Sequence, residues 1–135
     1  MINVGIIGSG FIGPAHIEAL RRLGFVQVVA LCDGTLEQAQ EKALALNIPH
    51  AYGNVEELLA HPDLHVVHNC TPNHLHAQIN RQILRAGKHV FSEKPLCMTP
   101  EEAHELVELA EQAGVVHGVS FVYRQFAMVQ QAASM

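Results

Sequence analysis

The chain has 135 residues, of which 49% are hydrophobic and 16% are charged, a composition that favours one compact domain and argues against disorder. The formal net charge is −5 with histidine neutral, so we expect no basic surface for a nucleic-acid backbone. We also expect no membrane partner and no signal peptide, because no apolar run approaches the roughly 18 residues of a membrane span and the N-terminus lacks a positively charged stretch.

The cysteine and histidine patterns argue against metal or disulfide chemistry. Cys32, Cys70 and Cys97 share no CxxC spacing, which is typical of reduced thiols in a cytoplasmic protein. His68 follows His65 by three positions, so on a strand the two rings would point to opposite faces. We therefore predict no metal site. The remaining histidines are interpreted as packing or surface residues, and they are His16, His50, His61, His89, His104 and His117.

Apolar runs and helix signals alternate along the chain, which predicts a parallel sheet wrapped by helices. Strands are predicted at 2–7, 26–32, 50–52, 64–70, 89–91 and 115–119. Helices are predicted at 11–23, after residue 35, after residue 54, at 74–86, at 100–113 and at 125–135. Thr35, Asn54 and Thr99 are each followed three residues later by Gln or Glu, which is the spacing of a capping box. Asn73 is also a candidate N-cap.

The first 33 residues contain a glycine motif between a strand and a helix. Gly8, Gly10 and Gly13 follow the apolar run 2–7, and Asp33 ends the next apolar run. In this context Gly8 allows a tight turn, Gly10 allows close approach of a pyrophosphate and Gly13 allows the helix to pack against the strand. We therefore predict an α/β Rossmann fold, a doubly wound parallel sheet of six strands in the order 3-2-1-4-5-6 with helices on both faces.

Three segments together give the chain a family resemblance. They are GSGFIG at 8–13 with Asp33, CTPNHLH at 70–76 and SEKPLCMTPEEA at 92–103, and the segment 121–124 adds to them. The chain resembles the N-terminal NAD(P)-binding domain of the family of glucose-fructose oxidoreductase, inositol 2-dehydrogenase and the rhizopine-catabolism oxidoreductases. Such proteins continue into a larger C-terminal α/β domain that holds the substrate, and that domain is absent from these 135 residues.

The resemblance implies an activity and a domain division. Residues 1–120 would form the dinucleotide-binding domain, and residues 121–135 would begin the connection to the substrate domain. The implied reaction transfers hydride between a sugar, cyclitol or related polyol and nicotinamide. The alternatives are a stand-alone NAD-binding sensor or partner module, and an inert fragment. We further expect a homo-oligomer, and self-association of residues 1–135 through an exposed apolar face.

The resemblance also implies roles for particular residues. Lys94 would be catalytic, with its ammonium beside the reacting oxygen, and the Lys94–Pro95 bond would be cis. The adenosine diphosphate half of the cofactor would contact Gly8, Gly10, Phe11, Ile12, Gly13 and Asp33. The path toward the nicotinamide would be lined by Thr71, Pro72, Asn73, His76, Glu93, Lys94 and Pro95. His76 is assigned equally to cofactor contact and to helix packing, while Tyr123 and Arg124 are assigned structural roles.

The residues around Asp33 bear on the choice of cofactor. A carboxylate at this position accepts hydrogen bonds from a free ribose 2′-hydroxyl and repels a 2′-phosphate. The next residues are Gly34 and Thr35, so no arginine follows to bind that phosphate. We therefore predict NAD as the cofactor in preference to NADP, which related proteins can also accept.

Overall fold

A computed structural model describes all 135 residues and contains six strands and six α-helices. The strands are β1 (Ile2–Ile7), β2 (Val26–Cys32), β3 (His50–Tyr52), β4 (Val66–Asn69), β5 (His89–Ser92) and β6 (His117–Val119). The helices are α1 (Gly13–Arg21), α2 (Leu36–Ala45), α3 (Val55–Leu59), α4 (His76–Arg85), α5 (Pro100–Ala113) and α6 (Ala127–Ser134). No helix has the length and apolar character that crossing a membrane requires.

All six strands are parallel and lie in one sheet in the order β3-β2-β1-β4-β5-β6. This order confirms the predicted doubly wound sheet. The strand order reverses between β1 and β4, so the crevice at their carboxyl ends is the position at which open α/β sheets bind ligands.

The two faces of the sheet are covered by different helices, as predicted. Side chains of β1 alternate between the faces, with Val4 and Ile6 packed against α1 and α2 while Ile7 packs on the side of α3, α4 and α5. Ile6 is completely buried, and a buried isoleucine stabilises a fold by about 2 kcal/mol. The two hydrophobic clusters therefore fix β1 at the centre of the sheet.

The capping predictions are confirmed at three helices. The Thr35 and Thr99 hydroxyls accept hydrogen bonds from the backbone N–H three residues later at 3.2 Å, and Asn54 Oδ1 does so at 2.8 Å. Each such cap stabilises its helix by about 1 kcal/mol. Gly114 ends α5 in the left-handed conformation that glycine adopts without steric cost.

Three helix starts differ from the sequence prediction. α1 begins at Gly13 instead of residue 11, because residues 9–12 still form the bend that leaves β1. A 3₁₀ turn at Asn73–Leu75 precedes α4, so Leu75 is its N-cap and the candidate cap Asn73 makes no capping hydrogen bond. The last helix is also shorter than predicted, since a 3₁₀ turn at Val122–Gln125 precedes α6.

Candidate cofactor-binding cleft

Two adjoining hollows of about 500 and 630 Å³ form one cleft at the carboxyl ends of β1, β2 and β4. Both are lined by Gly8, Asp33, Thr71 and Pro72, which makes them parts of the same depression. One hollow extends toward α3 and α4, and the other extends toward the segment after β5. The cleft therefore lies at the reversal point of the strand order, where a ligand is expected.

Most of the residues that the family resemblance singled out line the larger hollow. Eleven of the thirteen do so, and they are Gly8, Gly10, Phe11, Ile12, Asp33, Thr71, Pro72, Asn73, His76, Glu93 and Lys94. The other two are Gly13 and Pro95, which are not on its wall. Gly13 packs against the carbonyl group of Gly8, directly after β1. The Pro95 carbonyl oxygen contacts Nδ1 of His76.

The three glycines of the motif are required for different reasons. Gly8 has φ +90°, and a Cβ on it would lie 2.7 Å from the Cys70 carbonyl oxygen. A Cβ on Gly13 would lie 2.5 Å from the Gly8 oxygen. A Cβ on Gly10 would meet no atom of the protein within 4 Å, although Gly10 lies on the cleft wall. The backbone at Gly10 thus leaves room for close approach of a ligand.

The amides beside this opening are free to bind an anion. The backbone N–H groups of Gly10, Phe11 and Ile12 donate no hydrogen bond within the chain. They lie at the start of α1, where the free amides and the helix dipole favour negative charge. The residues present therefore fit the pyrophosphate of a dinucleotide.

Asp33 lies at the rim of the cleft and is held by the glycine turn. One carboxylate oxygen accepts hydrogen bonds from the Ser9 hydroxyl and, at 3.1 Å, from the Ser9 N–H. The other oxygen accepts one from the Gly34 N–H at 2.8 Å. Sequence analysis had not assigned Ser9 a role. Ionised carboxylates have about four acceptor positions, so Asp33 retains capacity for a ribose diol.

His76 joins two loops of the cleft. It is completely buried, its Nε2 lies 2.8 Å from the Thr71 carbonyl, and its Nδ1 contacts the Pro95 carbonyl. The structure therefore places His76 on the cleft wall and in packing contact at the same time.

A buried polar network missed by sequence analysis supports the same loops. Asn80 Oδ1 accepts from Asn69 Nδ2 at 2.8 Å, and Asn80 Nδ2 donates to Ser92 Oγ at 2.9 Å. Asn69 Oδ1 in turn accepts from the Thr71 hydroxyl at 2.7 Å. The network links β4, α4 and β5 beneath the cleft.

Glu93 and Lys94 lie side by side but in different environments. Glu93 is buried and accepts hydrogen bonds from His16 Nε2 at 3.0 Å and from the Lys94 N–H at 3.2 Å. Burial raises the pKa of Glu93, but hydrogen bonds from Ser120, His16 and Lys94 outweigh it and lower the pKa overall. Lys94 is exposed with no ion-pair partner, and the Lys94–Pro95 bond is cis.

His16, which was predicted to be a packing or surface residue, packs next to the cleft and contacts Glu93 on its wall. It lies one turn into α1, and its ring contacts both Glu93 and His68, with 2.9 Å between the two Nδ1 atoms. Burial, and then the proximity of His16, lower the pKa of His68 to about 4. The available signal was its position three residues after Gly13, which puts it on the turn of α1 nearest the cleft.

Thiol and metal chemistry find no support in the cleft. Burial raises the pKa of Cys32 and of Cys70 to about 12, with further contributions from Asp33 and Glu93 respectively, so both thiols are protonated at neutral pH. No group of three or more His, Cys, Asp or Glu side chains is arranged to hold a metal ion.

Comparison with known proteins identifies the family. Residues 2–121 match the oxidoreductase family with an NAD-binding Rossmann fold. The chain belongs to this oxidoreductase family. It is 36% identical over 132 residues to levoglucosan dehydrogenase of Pseudarthrobacter phenanthrenivorans, covering 92% of this chain and 34% of the relative. It is 37% identical over 123 residues to 1,5-anhydro-D-fructose reductase of Ensifer adhaerens, covering 91% of this chain and 37% of the relative.

Solved structures of oxidoreductases share the fold. An NAD binding oxidoreductase from Klebsiella pneumoniae is similar with a TM-score of 0.92 and 35% identity, over 98% of this chain and 38% of that one. Levoglucosan dehydrogenase in complex with NADH and levoglucosan is similar with a TM-score of 0.86 and 34% identity, over 91% of this chain and 35% of that one. The 135 residues thus span about a third of the length of the curated relatives they match.

Proposed function

We propose that this chain binds NAD along the cleft, with the pyrophosphate over the glycine turn, the adenosine ribose at Asp33 and the nicotinamide toward Glu93 and Lys94. One observation carries the proposal. Eleven residues from separate segments of the chain line one hollow, and on its wall Gly10 has no protein neighbour where a Cβ would stand.

We further propose that the whole protein transfers hydride between a sugar, cyclitol or related polyol and the cofactor. Bound nicotinamide supplies the hydride acceptor or donor. Lys94 is exposed on the cleft and its ammonium makes no ion pair, which leaves it available to stabilise a substrate oxygen as the proton leaves. Two relatives of this chain are named as a dehydrogenase and a reductase of sugar derivatives.

The binding proposal is tested by Gly10→Ala. The added methyl meets no protein atom within 4 Å, so the free energy of unfolding should stay within about 0.5 kcal/mol of wild type. The methyl would occupy the space proposed for the pyrophosphate, so the affinity for NAD⁺ should fall at least about tenfold, which is about 1.4 kcal/mol. Titration calorimetry measures the affinity, and urea unfolding measures the stability.

Gly114→Ala is the matched control. Gly114 has φ +65° at the end of α5, outside the cleft. Alanine there should lower the free energy of unfolding by about 1 kcal/mol and leave the NAD⁺ affinity unchanged. Wild-type affinity for NAD⁺ in Gly10→Ala would contradict the proposal.

Preference for NAD over NADP is tested at Asp33. Asp33→Asn removes the charge that repels a 2′-phosphate, so the ratio of NADP⁺ to NAD⁺ affinity should rise at least about fivefold. Glu37→Gln is the control, because it removes an exposed carboxylate from the first turn of α2. Equal affinities of the wild-type chain for NAD⁺ and NADP⁺ would show that the preference is wrong.

Residues 1–135 alone should bind NAD and turn over polyols negligibly. Hydride transfer requires the substrate carbon held about 3 to 3.5 Å from the nicotinamide, and this chain supplies the cofactor side of that geometry. Robust dehydrogenase activity of the isolated 135 residues would contradict this division. Binding without turnover, even when the chain is joined to a substrate domain, would favour the NAD-sensing alternative.

The exposure of residues 121–135 supports the proposed domain division. Every one of these residues is exposed, whereas residues 115–120 still contribute partly buried positions. The exposed side chains include large apolar ones, Phe121, Val122, Tyr123, Phe126, Met128 and Val129. We propose that this segment starts the connection to the substrate domain and makes the chain self-associate. Sedimentation of residues 1–135 as a monomer at millimolar concentration would rule out self-association.

We propose a cytoplasmic location and neither a nucleic-acid nor a membrane partner. All three cysteines are free, and Cys32 and Cys70 are buried as small apolar residues. The net charge of −5 disfavours binding to polyanions. Fractionation of the source cells, followed by detection of the chain, tests the location.

A further inference from the structure

Three titratable side chains are joined by hydrogen bonds at the end of the cleft, and of the three only Glu93 lies on the cleft wall. His68 on β4 contacts His16 on α1 with 2.9 Å between their Nδ1 atoms, and His16 Nε2 lies 3.0 Å from Glu93 Oε1 after β5. The side chains of His16 and Glu93 are only 9% and 11% exposed. The hydrogen bonds thus connect His68, which borders a separate hollow beside β5 and β6, to Glu93 on the cleft wall near Lys94.

The geometry accommodates His16 with or without an extra proton. In the neutral case, His16 Nε2–H donates to Glu93 and His16 Nδ1 accepts from His68 Nδ1–H. In the protonated case, His16 donates from both nitrogens and His68 Nδ1 accepts. His68 stays neutral in both, because burial and the proximity of His16 lower its pKa to about 4. The proton on His16 therefore changes the charge of the His16–Glu93 pair from −1 to zero.

His16 is the only ion-pair partner of Glu93 in the structure. Cys70, directly after β4, is a protonated thiol near the carboxylate with a pKa of about 12, and Ser120, after β6, is among the groups that lower the pKa of Glu93. Phe91 on β5 lies against both imidazoles, and His89 and His117 line the hollow that His68 borders. The net charge at this end of the cleft therefore comes from the His16–Glu93 pair together with the Lys94 ammonium.

We propose that His16 is a positioning residue that orients the Glu93 carboxylate at the nicotinamide end of the cleft, and that its proton sets the preference between NAD⁺ and NADH. The nicotinamide ring is cationic in NAD⁺ and neutral in NADH, so a His16–Glu93 pair of charge −1 favours NAD⁺ and a neutral pair does not. This inference rests on the proposed function, which places the nicotinamide of the bound cofactor near Glu93 and Lys94.

The test measures the dissociation constants of NAD⁺ and NADH for residues 1–135 at several pH values between about pH 5.5 and about pH 8.5. The preference for NAD⁺ over NADH should rise roughly three- to tenfold as pH rises. His16→Gln keeps a donor toward Glu93 but binds no proton, so both nucleotides should still bind and the pH dependence of the preference should disappear.

His104→Gln is the matched control. His104 forms a comparable pair with Glu108 at 3.1 Å, but on the exposed surface of α5. This variant should retain the wild-type pH dependence. A wild-type preference that does not change with pH, or a pH dependence that survives in His16→Gln, would overturn the proposed control by the His16 proton.

The positioning role has a readout that needs no cofactor. His16→Leu removes the His16 hydrogen bond that helps lower the Glu93 pKa, so this pKa, measured by carbon NMR of the carboxylate, should rise. His16→Gln should raise it less, because the amide still donates. An unchanged Glu93 pKa in His16→Leu would overturn the positioning role. Failure of both nucleotides to bind the wild-type chain, with the NMR result as expected, would refute the proposed function and leave the positioning role standing.

Discussion

At the scale of single residues, three glycines within six positions meet three separate steric demands. Gly8 and Gly13 are required by the protein itself, since a Cβ on either would meet backbone atoms within 2.7 Å. Gly10 has no such neighbour, so we infer that the absence of a side chain there leaves space for a bound ligand. A spacing pattern alone does not separate these cases, because the distances that distinguish them belong to the folded backbone.

Gly8→Ala should destabilise the fold more than a glycine substitution that changes conformation alone. Alanine at this position would have both an unfavourable positive φ and a steric clash with the Cys70 carbonyl. We therefore expect a loss of about 3 kcal/mol or more in the free energy of unfolding. Gly24→Ala is the matched control, since Gly24 has φ +72° and no neighbour within 4 Å, and it should cost about 1 kcal/mol. Urea unfolding measures both, and equal losses would show that the Cys70 contact is unimportant.

At the scale of elements, α4 is fixed to two strands by polar groups as well as by apolar packing. Asn80 on α4 bonds to Asn69 on β4 and to Ser92 on β5, and all three are almost completely buried. Buried hydrogen bonds contribute modestly when made and cost more when one partner is removed. The network therefore fixes the position of α4 against the strands whose ends form the cleft.

Asn80→Ala should reveal this role. It leaves the Asn69 amide and the Ser92 hydroxyl short of a partner in the interior, so we expect a loss of about 2 to 3 kcal/mol in the free energy of unfolding. Gln78→Ala, on an exposed position of the same helix, should change it by less than about 0.5 kcal/mol. Chemical denaturation compares the two variants, and a near-neutral Asn80→Ala would mean that the network is dispensable for stability.

At the scale of the whole molecule, His68 makes stability depend on pH. Its pKa falls from 6.5 to about 4 on folding, so between these values the unfolded chain binds more protons than the folded chain. The contribution of His68 to the free energy of unfolding is therefore fully present above pH 6.5. It is lost as pH falls toward 4, and the loss amounts to about 3 kcal/mol at most. The pKa of Glu93 is also lower in the folded chain, so the free energy of unfolding falls further as pH drops below 4.5.

His68→Phe should reduce the slope of stability against pH between pH 4.5 and 6.5, and the lowered pKa of His61 should account for part of the slope that remains. The phenyl ring retains the aromatic contact with Phe91 but binds no proton. His104→Gln removes an exposed histidine and should leave the slope unchanged. Thermal unfolding across this range measures the slope, and an identical slope in His68→Phe and wild type would contradict the prediction.

Local patterns predicted the six strands and three of the six helix starts, because these features depend on nearby residues. The apolar run 2–7 became β1 with the same bounds, and the capping-box spacings at Thr35, Asn54 and Thr99 were confirmed. The start of α4 was wrong, since the turn at Asn73–Leu75 belongs to a loop that His76 holds through the Pro95 carbonyl. That contact joins residues 19 positions apart, which no local pattern contains.

The sequence by itself determined the parallel order of the six strands and the family, because glycine spacing, apolar periodicity and three motifs are properties of the chain in order. It also predicted thirteen site residues, and eleven of them line one hollow, while their contacts with a cofactor stay a prediction. Only the tertiary structure decided the partners of Glu93. His16 is 77 positions from Glu93, and the two meet because α1 packs beside the sheet at the point where β5 ends. Burial of that pair, and with it the charge at the end of the cleft, exists only in the folded chain.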